Sequence, residues 1–99
     1  MKKILVTRRL LRSCEDKAKE IFDANLNLND ELYSQKKLIE MSEGCDGILS
    51  SLTDKLDTDT INKLPKSVKI LSNFAVGFGN IEIETAKKKI LQLLILLKF

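Results

Sequence analysis

Apolar positions change their spacing several times along the chain, and each change marks an element. Lys3-Ile4-Leu5-Val6-Thr7 is an unbroken β-prone run, the pattern of a strand buried on both faces. Ser13, with Asp16 three residues later, has the form of a capping box. Ala18, Ile21 and Phe22 then recur at helical spacing as one apolar stripe. Ala24 to Leu28 alternates apolar residues with asparagine, which predicts a less buried edge strand. Ser34 is placed to cap a second helix carrying Leu38, Ile39 and Met41, with Gly44 as its stop. Gly47 to Ser51 reads as a third strand. Asp57 caps a short helix with Ile61 and Leu64 inward, and Pro65 ends it.

Val68 to Ser72 is the fourth apolar run, and the glycine-containing stretch after it organises the rest of the chain. Gly77 and Gly79 let the backbone turn through conformations closed to other residues. Asn80 can cap a helix reaching Lys89, with Glu82 and Glu84 in the first turn, where acids suit the helix dipole. A strand, a glycine turn and a helix N-terminus together can present free backbone N–H groups to an anion. The same spacing also suits an ordinary tight connection. Strands and helices alternate about every twenty residues, which means right-handed crossovers and a parallel sheet. Ligands of such sheets bind beyond the C-terminal ends of the strands. The loops from Thr7 to Arg12, Ser51 to Lys55 and Phe74 to Asn80 are therefore the candidates.

Composition narrows the function. Ninety-nine residues, 43% apolar and 31% charged, make one small folded domain with a modest core. The net charge is +3, gathered in Lys2, Lys3, Arg8, Arg9 and Arg12 and again in Lys87, Lys88 and Lys89. With a single tyrosine and no RNA-binding signature, these read as solvated surface and not as a nucleic-acid site. Cys14 and Cys45 lie far apart and the chain has no histidine, so no metal site is expected. Both thiols should be reduced, and Cys14 in a first helical turn has a setting that favours a thiolate, although a structural role is the plainer reading. Ile4-Leu5-Val6 is too short for a signal peptide, and Ile90 to Leu97 is too short to span a bilayer. The expectation is a soluble, cytoplasmic protein with no membrane contact, whose apolar tail can drive homo-oligomerisation or aggregation.

Chemistry is sparse. Gly77-Phe78-Gly79 starts like the dinucleotide fingerprint, but Glu82 stands where its third glycine belongs. A phosphoryl-accepting receiver needs an acidic pair after its first strand, where this chain has Thr7-Arg8-Arg9, and Asp54 alone would not hold a metal ion. Ser50, Ser51 and Thr53 have no histidine, and no evident lysine, to activate them. No catalytic residue is assigned.

Phe74-Ala75-Val76-Gly77-Phe78-Gly79-Asn80-Ile81-Glu82 closely resembles the A-V-G-Y-D-N-I-D stretch of the NAD(P)-dependent D-2-hydroxyacid dehydrogenases. The glyoxylate and hydroxypyruvate reductase branch is nearest. Lys3 to Arg8, Cys45-Asp46-Gly47-Ile48-Leu49 and Leu64 to Ile70 resemble that branch in the same order. Gly79 and Glu82 depart from the usual aspartates. The resemblance implies an α/β, flavodoxin-like open parallel sheet, with residues 1–89 as the N-terminal segment of the substrate-binding domain. It implies that the N–H groups of Val76 and Gly77 hold the carboxylate of a small 2-oxo or 2-hydroxy acid, with Leu52 lining the pocket.

NAD or NADP serves the complete family enzyme, and none is expected to bind this chain. The family's nucleotide domain, substrate arginine and acid–base pair lie beyond the resembling region. So does the helix that closes the sheet, so one face should stay uncovered. Residues 90–99 depart from the family's I-V-V-T-N-T-P strand, yet suitably chosen codons for Ile90 onward read F-A-V-T-N-T-P-E-V in another frame. An out-of-frame tail after the lysine run, and an inactive truncated dehydrogenase, is the preferred expectation. A stand-alone binding or dimerisation module, its tail forming a fifth strand, is the alternative.

Overall fold

Five β-prone runs pair side by side, and the helices between them are short because each need only run back the length of a strand. The structure, a computed structural model, describes residues 1–51, 53–74, 81–82, 84–85 and 92–96. In chain order these form β1 (Lys3–Val6), α1 (Arg12–Ile21), β2 (Asp23–Asn25), α2 (Gln35–Met41), β3 (Gly47–Ser51), α3 (Thr58–Lys63), β4 (Ile70–Phe74) and β5 (Gln92–Leu96). Every pairing is parallel, in the order β2-β1-β3-β4-β5. The chain thus steps outward from β1 to the β2 edge, crosses back to β3, and continues outward the other way. Right-handed connections then place α1 on one face and the later helices on the other. This is the open α/β sheet that the alternation implied.

Register explains the core. Leu5 lies beside Ile48, and Ile48 beside Leu71, so one row of aliphatic side chains crosses the sheet. All three are buried, and Leu38 of α2, Ile61 of α3, Leu56, Leu64, Val68 and Ile81 close over that face. The neighbouring rows point the other way: Ile4, Leu49, Ile70 and Ser72 are only half-buried. α1 packs beside β2 on that side, and its stripe residue Ile21 stays 50% exposed. Among the described residues one face is sealed and the other is partly open.

Local signals fared unevenly. Ser34 accepts the N–H of Lys37 and Asp57 accepts that of Thr60, so both caps stand where the local pattern predicts them. Gly44 turns the chain after α2 at φ +78°, a conformation natural to glycine. Ser13 is not a cap: α1 starts earlier, its N-cap is Leu11, and no side chain caps it. Within its first turn Glu15 is buried and accepts from the Arg9 guanidinium and from the Leu10 N–H. β2 stops at Asn25, short of the predicted Leu28, and β4 begins at Ile70 and reaches Phe74. Gln92–Leu96, within the expected out-of-frame tail, pairs with β4 as the fifth strand. An apolar β-prone run suffices for that pairing whatever frame encodes it.

Candidate functional site

The C-terminal ends of the strands carry a layer of buried polar groups. Val6 ends β1, so Thr7 emerges at the rim, fully buried, with its N–H bonded to the Leu49 carbonyl of β3. Its hydroxyl donates to Asp54 Oδ2 in a short hydrogen bond. The same oxygen accepts the Ser51 N–H at 2.9 Å and the Ser51 hydroxyl at 3.4 Å. Asp54 closes its own turn through its N–H to the Ser51 carbonyl, 3.0 Å away. The carboxylate, 3% exposed, therefore fastens the turn after β3 to the end of β1. Beside it, Asn27 donates to the carbonyls of Thr7 and Glu31 and accepts the Glu31 N–H, which holds the loop after β2 against the same rim.

Outside this buried layer lies a charged one. The Arg8 guanidinium grips Asp30 with two donors, at 2.8 and 3.2 Å, and reaches Thr53 Oγ1 with a third at 2.9 Å. Asp30 also accepts the Arg9 N–H. These contacts hold the Asp30 carboxyl well below the ordinary carboxylate range, at about 2. Asp30 adopts φ 51°, a left-handed position that aspartate tolerates better than most residues. Arg9 in turn pairs with Glu15, whose carboxyl is lowered by that guanidinium against the opposing effect of burial. Both arginines are thus committed to internal carboxylates.

The third candidate loop is fixed at its described ends. Phe74 pairs with Ser51 in the β3–β4 ladder, and Ile81 forms a parallel bridge with Leu56, where the Glu82 N–H donates to the Leu56 carbonyl at 2.8 Å. The described residues that flank segments 52–55 and 75–80 are therefore paired at both ends. The expected site residues Leu52, Val76 and Gly77 lie inside those segments and outside the described residues, as does the expected cap Asn80. Sequence reasoning assigned no role to Thr7, Asp54, Asn27 or Asp30 at this rim. Only Asp54 carried a signal, its spacing of three from Ser51 being that of a side-chain-closed turn.

The Glu82 N–H, at the place of the dinucleotide fingerprint's third glycine, is taken by the Leu56 carbonyl. Among the described residues no cluster of histidine, cysteine, aspartate and glutamate could hold a metal ion, and no helix is long and apolar enough to cross a membrane.

Comparison with known proteins adds a family. Residues 4–94 match the D-isomer specific 2-hydroxyacid dehydrogenase, catalytic domain. A glyoxylate reductase of Korarchaeum cryptofilum is 32% identical over 87 residues, which are 88% of this chain and 26% of that protein. A glycerate dehydrogenase of Hyphomicrobium methylovorum is 27% identical over 88 residues, 89% of this chain and 27% of its own length. A solved Polaromonas structure, assigned to the D-isomer specific 2-hydroxyacid dehydrogenases, shares the fold with a TM-score of 0.88 at 20% identity. It is covered over 29% of its length by 94% of this chain. The chain spans about a quarter of the relatives it matches.

Proposed function

Because this chain belongs to the D-isomer specific 2-hydroxyacid dehydrogenase family, we propose that it forms the carboxylate-holding part of a 2-oxo acid site. In this reading the main-chain N–H groups of Val76 and Gly77 bind the carboxylate of a small acid such as glyoxylate or hydroxypyruvate, and Leu52 packs against its carbon chain. The observation that carries it is the double pinning of the two loops, at Ser51 beside Phe74 and at Leu56 beside Ile81. In this reading the paired ends, Ser51 with Phe74 and Leu56 with Ile81, support a shared site for Leu52, Val76 and Gly77. Charge-assisted bonds from backbone N–H groups orient a carboxylate without requiring a charged side chain.

The family reaction transfers hydride between a nicotinamide cofactor and the 2-carbon of the acid. In this reading the chain's part is binding and orientation, and turnover needs a nucleotide-binding domain. Residues 90–99 read as an out-of-frame replacement of the family's own strand, and the downstream DNA in all three frames tests that origin. Two free thiols, Cys14 and Cys45, suit a reducing compartment, and the cytoplasm is the location this reading assigns.

Titration of the ¹⁵N-labelled chain with oxamate, a stable analogue of a 2-oxo acid, tests the reading. The expected result is millimolar binding that moves the Val76 and Gly77 amides first and is lost in Gly77→Pro. Shifts confined to other loops overturn it, as does NADH-dependent reduction of glyoxylate by the purified chain alone. The pairing of Gln92–Leu96 with β4 favours a second reading, a stand-alone binding module. A concentration-independent dimer with exchange-protected amides at 92–96 would support the module over the fragment.

A further inference from the structure

The turn after β3 is held from two sides by consecutive residues of the first loop. It spans residues 51–54 and is closed by the Asp54 N–H on the Ser51 carbonyl. Thr7 reaches its far end, donating its hydroxyl to Asp54. Arg8 reaches its outer side with Nη1, which donates to Thr53 Oγ1 at 2.9 Å and takes no part in the pair with Asp30. The Arg8 side chain is only 24% exposed and two of its donors are anchored on Asp30. That guanidinium is therefore a fixed post and not a swinging surface cation.

Donor chemistry then orders the hydroxyls. A guanidinium only donates, so Thr53 Oγ1 accepts from Arg8 and has its own hydrogen to give. Ser51 Oγ lies 3.0 Å from Thr53 Oγ1 and 3.4 Å from Asp54 Oδ2. That carboxylate oxygen also accepts the Ser51 N–H and the Thr7 hydroxyl. The run Arg8, Thr53, Ser51, Asp54 thus passes its hydrogens in one direction, toward the buried oxygen. Bonds aligned head to tail in this way strengthen one another. Three of the turn's four side chains are thereby engaged in holding its shape. The fourth position is Leu52, between the two bonded hydroxyl residues in the chain.

We infer that Thr53 is a positioning residue for chain length: its hydroxyl, held by Arg8, fixes the turn about Leu52 and so limits the carbon chain of the 2-oxo acid that the site accepts. Leu52 packs against that carbon chain in the reading above, on which this role rests. Without the Thr53 hydroxyl the turn loses both its tie to Arg8 and its link to Ser51, is free to relax, and admits a longer acid. The full ¹⁵N-labelled chain is titrated with pyruvate and with 2-oxohexanoate, which share the carboxylate and keto group and differ only in the length of the carbon chain. The readout is the ratio of the two affinities. A loss of folded population lowers both by the same factor and leaves that ratio unchanged.

The chain should bind pyruvate about ten-fold tighter than 2-oxohexanoate. Thr53→Val, which keeps the shape and removes the hydroxyl, should narrow that ratio about five-fold, the scale of one hydrogen bond. Thr53→Ser should keep the original ratio. Arg8→Lys retains the charge but not three donors in a fixed fork, so it should narrow the ratio as Thr53→Val does with Thr53 itself intact. It also decides the case if Thr53→Val fails to fold. An unaltered chain that does not distinguish the two acids, a ratio unchanged in the variants, or one narrowed as far in Thr53→Ser overturns the positioning role. The 2-oxo acid reading then stands, since both acids still bind. Binding of neither acid to the unaltered chain, or shifts that leave Val76 and Gly77 unmoved, overturns that reading and the positioning role with it.

Discussion

Thr7, Ser51 and Asp54 form a joint whose acceptor is a single carboxylate oxygen. Removing that acceptor takes away the partner of the buried Thr7 hydroxyl and a bond to the half-buried Ser51 N–H, and a buried polar group left without its bond costs about 1–3 kcal/mol. Asp54→Ala should therefore lower unfolding free energy by about 3 kcal/mol in urea, and Asp54→Asn, which keeps one oxygen acceptor, by clearly less. The charged layer outside predicts a pH dependence. Asp30 is held at about 2 against an ordinary 3.8, and Glu15 is lowered in the same direction by Arg9. A carboxylate depressed on folding adds stability that is complete above its unfolded value and is lost as pH falls through its folded one. The urea midpoint should thus fall from about pH 5 to about pH 2, and Asp30→Asn should lower the midpoint at neutral pH and flatten that slope. None of these pairings joins neighbours in the chain, and no single-position pattern announces an arginine that meets an aspartate twenty-two residues away.

At the level of elements, caps separate what is local from what is not. Ser34 and Asp57 were readable because the group each one caps lies three residues on. Ser13 also looked like a cap, but α1 begins at Arg12, which leaves Ser13 inside the helix. Asp57→Ala should cost about 1 kcal/mol, while Ser13→Ala should change stability by less than about 0.5 kcal/mol, both read from chemical denaturation. Gly44 adds a purely conformational test. A Cβ there would meet nothing within 4 Å, so Gly44→Ala should cost only the left-handed strain of φ +78°, about 1 kcal/mol.

Across the whole molecule the two faces of the sheet differ. Leu71 lies in the sealed row with Leu5 and Ile48, whereas its neighbour Ile70 points to the partly open face and is half-buried. Leu71→Ala should cost about 3 kcal/mol, and Ile70→Ala about 1 kcal/mol, because a half-buried side chain loses less transfer free energy and leaves no closed cavity. Comparing the two in thermal melts measures how far the α1 side remains open. Similar losses would mean that something seals both faces.

The order of strands and helices, the apolar row and two of the helix caps were set by residues that act on their immediate neighbours or through periods of two and 3.6. Those signals survive in a bare string of letters. Which strand sits beside which, which face α1 leaves uncovered, and which carboxylate meets which arginine were decided only when the chain crossed back from β2 to β3. Flanking β1 with β2 and β3 brings Arg8 to Asp30 and Thr7 to Asp54, pairs separated by tens of residues, and long-range partnerships of that kind have no local period to betray them.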